Sequence, residues 1–162
     1  MRVNIQKSKV VHFRMKSIYQ THQNFRFGTE MLDKVDKYEY LGIVMDEFLV
    51  FNTTASVLAE SGGRALGAIY SKYKHNRGLG FKTYTRMFNA GIIPILDYCS
   101  GIRGFSKFDK IDTIQNRGIR LFLGAHKFVP NAAITGDMGW VSSSVRRKVG
   151  SKTMESVYGH RK

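Results

Sequence analysis

Arg117 and Arg120 stand three residues apart, a spacing that puts two guanidinium groups on one helix face. Such a pair can straddle a phosphate, or it can simply belong to a solvated face. Lys7 and Lys9 flank the start of a short β-type run, and Tyr38 and Tyr40 lie on one face of another. Tyrosines in that position either pack a sheet or contact a base or sugar. Arg64 and Lys72, with Lys74 and Arg77 after them, make a helical stretch increasingly basic toward its C-terminus, where cations suit the helix dipole. This is chemistry for holding a polyanion.

Bond-breaking constellations are missing. No glycine-rich loop ends in Gly-Lys-Ser/Thr, and Gly78-Leu79-Gly80 is too short to cradle a phosphate chain. His12, His22, His75, His126 and His160 are scattered, and with Cys99 as the only cysteine no zinc-ligand spacing exists. The carboxylate pairs Asp46-Glu47 and Asp109/Asp112 sit before a helix and in a first helical turn, where acids are common for dipole reasons. No residue is assigned as a catalyst or as a metal ligand.

Bulk properties agree with a polyanion partner. The formal net charge is +14, from 26 Lys+Arg against 12 Asp+Glu. It rises along the chain: +2 over 1–50, +4 over 51–100 and +8 over 101–162. A gradient of this kind suggests nucleic acid over the C-terminal two-thirds. Hydrophobic residues at 43% indicate a globular chain. A single cysteine excludes an internal disulfide, and the N-terminus has no apolar signal core. The longest uncharged apolar run, about 90–96, holds Pro94 and stops at Asp97, far short of the roughly 20 residues a membrane span needs. The expectation is an intracellular protein, nuclear or cytoplasmic, with no membrane partner.

The elements that must position these groups follow from periodicity. Val3-Asn4-Ile5 and Val10-Val11-His12-Phe13 read as short strands, and Phe25 to Leu32 as a hairpin turning at Gly28. Tyr38 to Val44 reads as one half-buried strand, with Gly42 allowing a bulge or a close backbone approach. Together they predict a small antiparallel sheet. Ala55, Leu58, Gly62, Ala65, Leu66, Ile69 and Tyr73 then share one face of a helix starting at Asn52, with Gly62-Gly63 as a place for another backbone to approach. A helix from Phe81 is kinked or split by Pro94, another spans Asp109 to Leu123 with Gly124 as its stop, and a short fourth starts at Pro130. After Lys148 the pattern fails. The expected organisation is α+β: a sheet remnant over 1–50, a helical bundle over 51–148 and a basic, disordered tail over 149–162.

The order of four motifs resembles the end of the reverse transcriptase of non-LTR retrotransposons, the long interspersed elements of the jockey and chicken-repeat type. They are Asn4-Ile5-Gln6-Lys7-Ser8, Lys37-Tyr38-Glu39-Tyr40-Leu41-Gly42, Ile93 to Cys99, and Ile114 to Gly124, with Gly136 to Trp140 beyond them. The resemblance covers roughly residues 2–148. It implies that Lys7 matches an accessory palm lysine near the incoming nucleotide's phosphates. Tyr38, Tyr40, Leu41 and Gly42 would form the primer grip, and the helices the thumb that tracks the template–primer backbone. In that family the catalytic aspartates and their Mg²⁺ lie in an aromatic-Ala-Asp-Asp hairpin, which would precede Asn4 here. The resemblance therefore implies a palm edge and thumb without the two-metal site, binding no cofactor, inactive as a polymerase by itself, and retaining non-specific template–primer binding. Its other partner would be the missing fingers and palm. Two alternatives stand beside it: a host-retained interaction module using an exposed palm edge, and a genomic remnant with no function.

Overall fold

The computed structural model describes residues 4–103 and 106–158. Helix makes up about 53% and strand about 11%, in separate stretches of the chain, which defines an α+β protein. The chain divides into two compact units, 1–54 and 55–162, with the division falling inside the first long helix.

The first unit holds six short strands: β1 (Lys9–Val10), β2 (Arg26–Phe27), β3 (Glu30–Met31), β4 (Asp33–Lys34), β5 (Lys37–Tyr40) and β6 (Ile43–Asp46). The single antiparallel sheet expected from the sequence is not what they form. They make three separate two-stranded pairs, and β1–β4 is parallel. Val3-Asn4-Ile5 also departs from expectation: Val3 lies outside the described residues, and Ile5–Lys7 is a 3-10 turn. Asn4 caps that turn, its Oδ1 accepting from the Lys7 N–H at 3.2 Å, because an Asn side chain competes well with strand pairing for nearby amides. The β2–β3 hairpin turns at Gly28, whose φ of 63° suits glycine.

The Tyr38–Val44 stretch is two strands and not one. Tyr40 pairs with Ile43, and Leu41 and Gly42 between them have φ of 51° and 74°. Positive φ at both residues of a two-residue loop makes a turn whose twist matches the flanking strands. Gly42 is therefore a turn residue, where alternation alone suggested a bulge. Asp46 Oδ1 then accepts from the Phe48 and Val50 N–H groups at 3.1 and 2.7 Å and redirects the chain toward the helix. Arg14 donates from Nε and Nη2 to Glu47 Oε2 at 3.1 and 2.8 Å, and from Nη1 to the Ile18 carbonyl at 2.5 Å, tying down the 15–20 loop.

Helices follow: α1 (Asn52–His75), α2 (Phe81–Gly91), α3 (Ile93–Leu96), α4 (Ser100–Arg103), α5 (Asp109–Leu123), α6 (Asn131–Met138) and α7 (Ser143–Tyr158). Pro94 does divide the second helical stretch, at Ile92. Along α1, Ala55, Leu58, Leu66 and Ile69 are buried on one stripe. Gly62 is buried too, but what approaches it is the Leu96 side chain and no backbone; an added Cβ would sit 2.7 Å from Leu96 Cδ2. On α5, Gly118 admits the Phe88 ring, 2.4 Å from where a Cβ would be. Tyr84 donates its hydroxyl hydrogen to the Gly118 carbonyl at 2.7 Å and stacks on Phe122 at 4.7 Å between centroids. Burial, and secondarily Tyr73, push the Tyr84 phenol up to about 12.

The expected loss of order after Lys148 is corrected by α7, which stays helical from Ser143 through Tyr158; residues 159–162 lie outside the described residues. Its anchors are polar. The Arg147 side chain is fully buried, its Nη1 and Nη2 each 3.2 Å from Asp112 Oδ1, which also accepts from the Ser143 hydroxyl. Arg146 pairs with Asp97 and donates to Gln115 Oε1 at 3.1 Å. Buried Arg103 donates to the carbonyls of Tyr98 and Leu96, and burial, with Arg147 nearby, pulls its guanidinium down to about 10.

Candidate nucleic-acid interface

In the first unit the candidate residues divide by what they touch. Lys7 ends the 3-10 turn with its side chain exposed, and its carbonyl accepts from the Tyr38 hydroxyl at 3.1 Å. That bond brings the Asn4–Ser8 segment to the hairpin. Tyr38 and Tyr40 share a face of β5 by the period of two, and Leu41-Gly42 form the exposed tip. Lys9 is different. It sits across from Asp33 in the β1–β4 register and pairs with its carboxylate at 2.6 Å, so its charge is neutralised within the protein.

In the second unit Arg64 is exposed, on the side of α1 opposite its buried stripe, and donates to Ser61 Oγ at 2.9 Å. Lys72 and Arg117 are exposed. Arg120 is not an open arm: its Nη2 donates to the Val129 carbonyl and to Asn131 Oδ1, both at 2.8 Å, which fixes the loop between α5 and α6. The pair that sequence spacing offered for one phosphate thus splits into a surface cation and a loop anchor.

Other basic groups gather where the C-terminal ends of α1 and α5 meet. Tyr70, Lys74, Arg77, Arg120 and Phe122 line a recess of about 600 Å³, with the Lys74 ammonium 5.5 Å from the Tyr70 ring centre. Arg77 projects from a backbone position with φ of 53°, just past the end of α1, where glycine or asparagine is usual. The Gly78 N–H closes the helix end on the Tyr73 carbonyl at 2.9 Å. Lys82 and Arg86, one turn apart on α2, are both exposed and share a face. Neither is given a role by the sequence motifs, although their spacing of four is itself the signal of a shared helix face.

Electrostatically, the acids and bases of this unit are sorted. Asp97 and Asp112 point inward to hold Arg146 and Arg147. Among the residues from 55 to 150 whose burial is described, the exposed acids are Glu60, Asp109 and Asp137, and Asp109 is paired with Lys107 at 3.1 Å. Exposed cations, among them Arg64, Lys72, Lys74, Arg77, Lys82 and Arg86, outnumber them. The outer surface is therefore more basic than the composition of the unit alone indicates.

Several carboxylates are already taken up by contacts within the protein. Asp46 caps a turn, and Glu47, Asp97 and Asp112 are each committed to arginine. Among the described residues no group of three or more His, Cys, Asp or Glu converges as a metal site would require. Also among them, no helix is long and apolar enough to cross a membrane. No protein-family model matches the chain, and neither the curated proteins nor the solved structures give a significant match.

Proposed function

We propose that this chain binds nucleic acid through phosphate contacts, without reading sequence, as the palm edge and thumb of a non-LTR retrotransposon reverse transcriptase would. The observation that carries the reading is the sorting of charge in the helical unit, where Asp112 is held by buried Arg147 and Asp97 by half-buried Arg146, while exposed cations outnumber exposed acids among the described side chains. Cations on helix faces give affinity and register on a phosphate backbone and are indifferent to base identity. The tyrosine face of β5 and the Leu41-Gly42 tip are the parts suited to a primer end. The sequence holds no Asp-Asp dipeptide, and among the described residues no group of three or more His, Cys, Asp or Glu converges, so the proposal is one of binding and assigns the chain alone no primer extension.

Binding to a labelled RNA–DNA hybrid tests this, measured by fluorescence anisotropy across a salt series. Log affinity should fall linearly with log salt, with a slope of about −0.9 per neutralised phosphate. Arg77→Asn removes one cation while keeping a residue that tolerates the left-handed conformation; it should flatten the slope by roughly one such unit. Affinity that is absent at low salt, or indifferent to salt, excludes the reading.

One observation favours a second reading, strand addition at β5. Thr54 Oγ1 accepts from the Val44 N–H at 3.0 Å and donates to the Val44 carbonyl at 3.1 Å, occupying the outward edge of β6. The outward edge of β5 carries no such cover among the described contacts, and its four residues are exposed. An added strand would slow amide exchange at Glu39 and leave Val44 unchanged.

A further inference from the structure

We infer that Phe128, at the tip of the loop between α5 and α6, is a stacking platform for an unpaired nucleobase. This deepens the nucleic-acid reading above and rests on it. Phe128 is 79% exposed, among the most exposed large apolar residues described. Burial favours a phenylalanine, yet this one stands out from a loop whose backbone is tied at both ends.

Gly124, with φ of 63°, ends α5, and the Ala125 N–H bonds the Arg120 carbonyl at 3.1 Å. The Val129 N–H closes a turn on the His126 carbonyl at 3.1 Å, and Arg120 clamps the far side through the Val129 carbonyl and Asn131 Oδ1. The aromatic ring is thereby presented and preorganised before any ligand arrives.

Its neighbours match a nucleotide. The Lys127 ammonium lies 5.0 Å from the ring centre, and the His126 ring centroid is 5.0 Å away at an angle of 48°. A cation on the ring suits the phosphate that accompanies any base. With Phe128 79% exposed as a residue and Lys127 over the ring, a base is the kind of flat partner that can reach it, because every base supplies a π-face of its own. Continuous duplex keeps its bases stacked inside the helix, so the partner this tip recognises is a single-stranded segment or an overhang beside the duplex that the helices hold. The pairing of flanking cation and bare aromatic favours this occupant over a purely apolar one.

The experiment uses the full chain with three labelled probes: a blunt duplex, the same duplex with a short single-stranded overhang, and that overhang made abasic. The native chain should prefer the base-bearing overhang over both others. Phe128→Ala and Phe128→Leu should each lose that preference, by roughly 5- to 150-fold, with blunt-duplex affinity unchanged; Phe128→Tyr should retain it. 2-Aminopurine in the overhang should be quenched by the native chain and not by Phe128→Leu. Equal affinity for abasic and base-bearing overhangs overturns the stacking role while leaving phosphate binding intact. So does Phe128-dependent binding to vesicles containing phosphatidylserine combined with no base dependence, because it would make the tip a lipid contact. Loss of all salt-sensitive binding overturns the underlying reading instead.

Discussion

Up to residue 54, the buried side chains among the described residues are Ile43, Phe51 and Thr54. From 55 onward, buried apolar residues run from Ala55 through Tyr84, Phe88 and Ile119 to Met138, with aromatic rings packed on one another. The first unit leaves Met15, Ile18, Tyr19 and Phe27 at the surface and is held by turns, strand pairs and the Arg14–Glu47 ion pair. Hydrophobic burial at about 25 cal/mol per Å² is the main stabilising force available to a domain. The helical unit uses it extensively and the strand unit hardly at all. The difference teaches where each unit is vulnerable: the helical one to holes, steric overfill and orphaned charge, the strand one to loss of a few polar contacts.

That contrast can be broken in four places, from the largest effect to the smallest. Asp112→Ala leaves the fully buried Arg147 without its carboxylate and should destabilise the helical unit by about 3–5 kcal/mol in a urea titration. Retention of native stability would mean that Arg147 is readily solvated. Gly118→Ala forces a methyl into the Phe88 ring and should cost about 1–3 kcal/mol; a thermal melt unchanged from the native chain would show that the ring moves aside easily. Glu47→Gln should cost about 1.5 kcal/mol, read as faster amide exchange around Ile18, and raised salt should mimic it only weakly because both side chains are mostly enclosed. Gly118→Ala, by contrast, should be insensitive to salt. Leu41→Asn relieves a branched aliphatic residue held at φ of 51° and should stabilise the β5–β6 hairpin by about 1 kcal/mol. Leu41 is 70% exposed, so little packing is lost in exchange. Slower exchange of the Tyr40 and Ile43 amides is the readout.

Legibility in the sequence follows the same divide. Asp109–Leu123 and the stop at Gly124 were readable because a long apolar period and a terminal glycine both report on that helix. Gln115 was not readable as a buried residue. It turns inward because its Nε2 meets the Val141 carbonyl at 2.9 Å and its Oε1 meets Arg146, partners that no local pattern reveals. For the same reason the start of α7 shows no apolar period: Arg147 is buried on Asp112 and Arg146 half-buried on Asp97, charged groups where an apolar stripe would stand. In the strand unit, two-residue strands carry too few alternations to specify partners, and the parallel β1–β4 pair follows from contacts across the whole unit. Of the candidate interface, exposed cations were legible by type. Their internal commitments, at Lys9 and Arg120, were not, since a lysine or arginine looks the same in sequence whether it meets water or a carbonyl.

Thr54 carries a consequence for assembly. By satisfying both outward groups of Val44 with one hydroxyl, it terminates the β5–β6 ribbon on that side as an extra strand would. A ribbon open on both sides can recruit copies without limit and grow into a fibre. With one side closed, growth by strand pairing has a single direction, and two copies joined through β5 would seal each other and stop. Thr54→Val, which keeps the shape and removes the hydroxyl, should leave both outward groups of Val44 unpaired, with faster exchange of the Val44 amide as the readout.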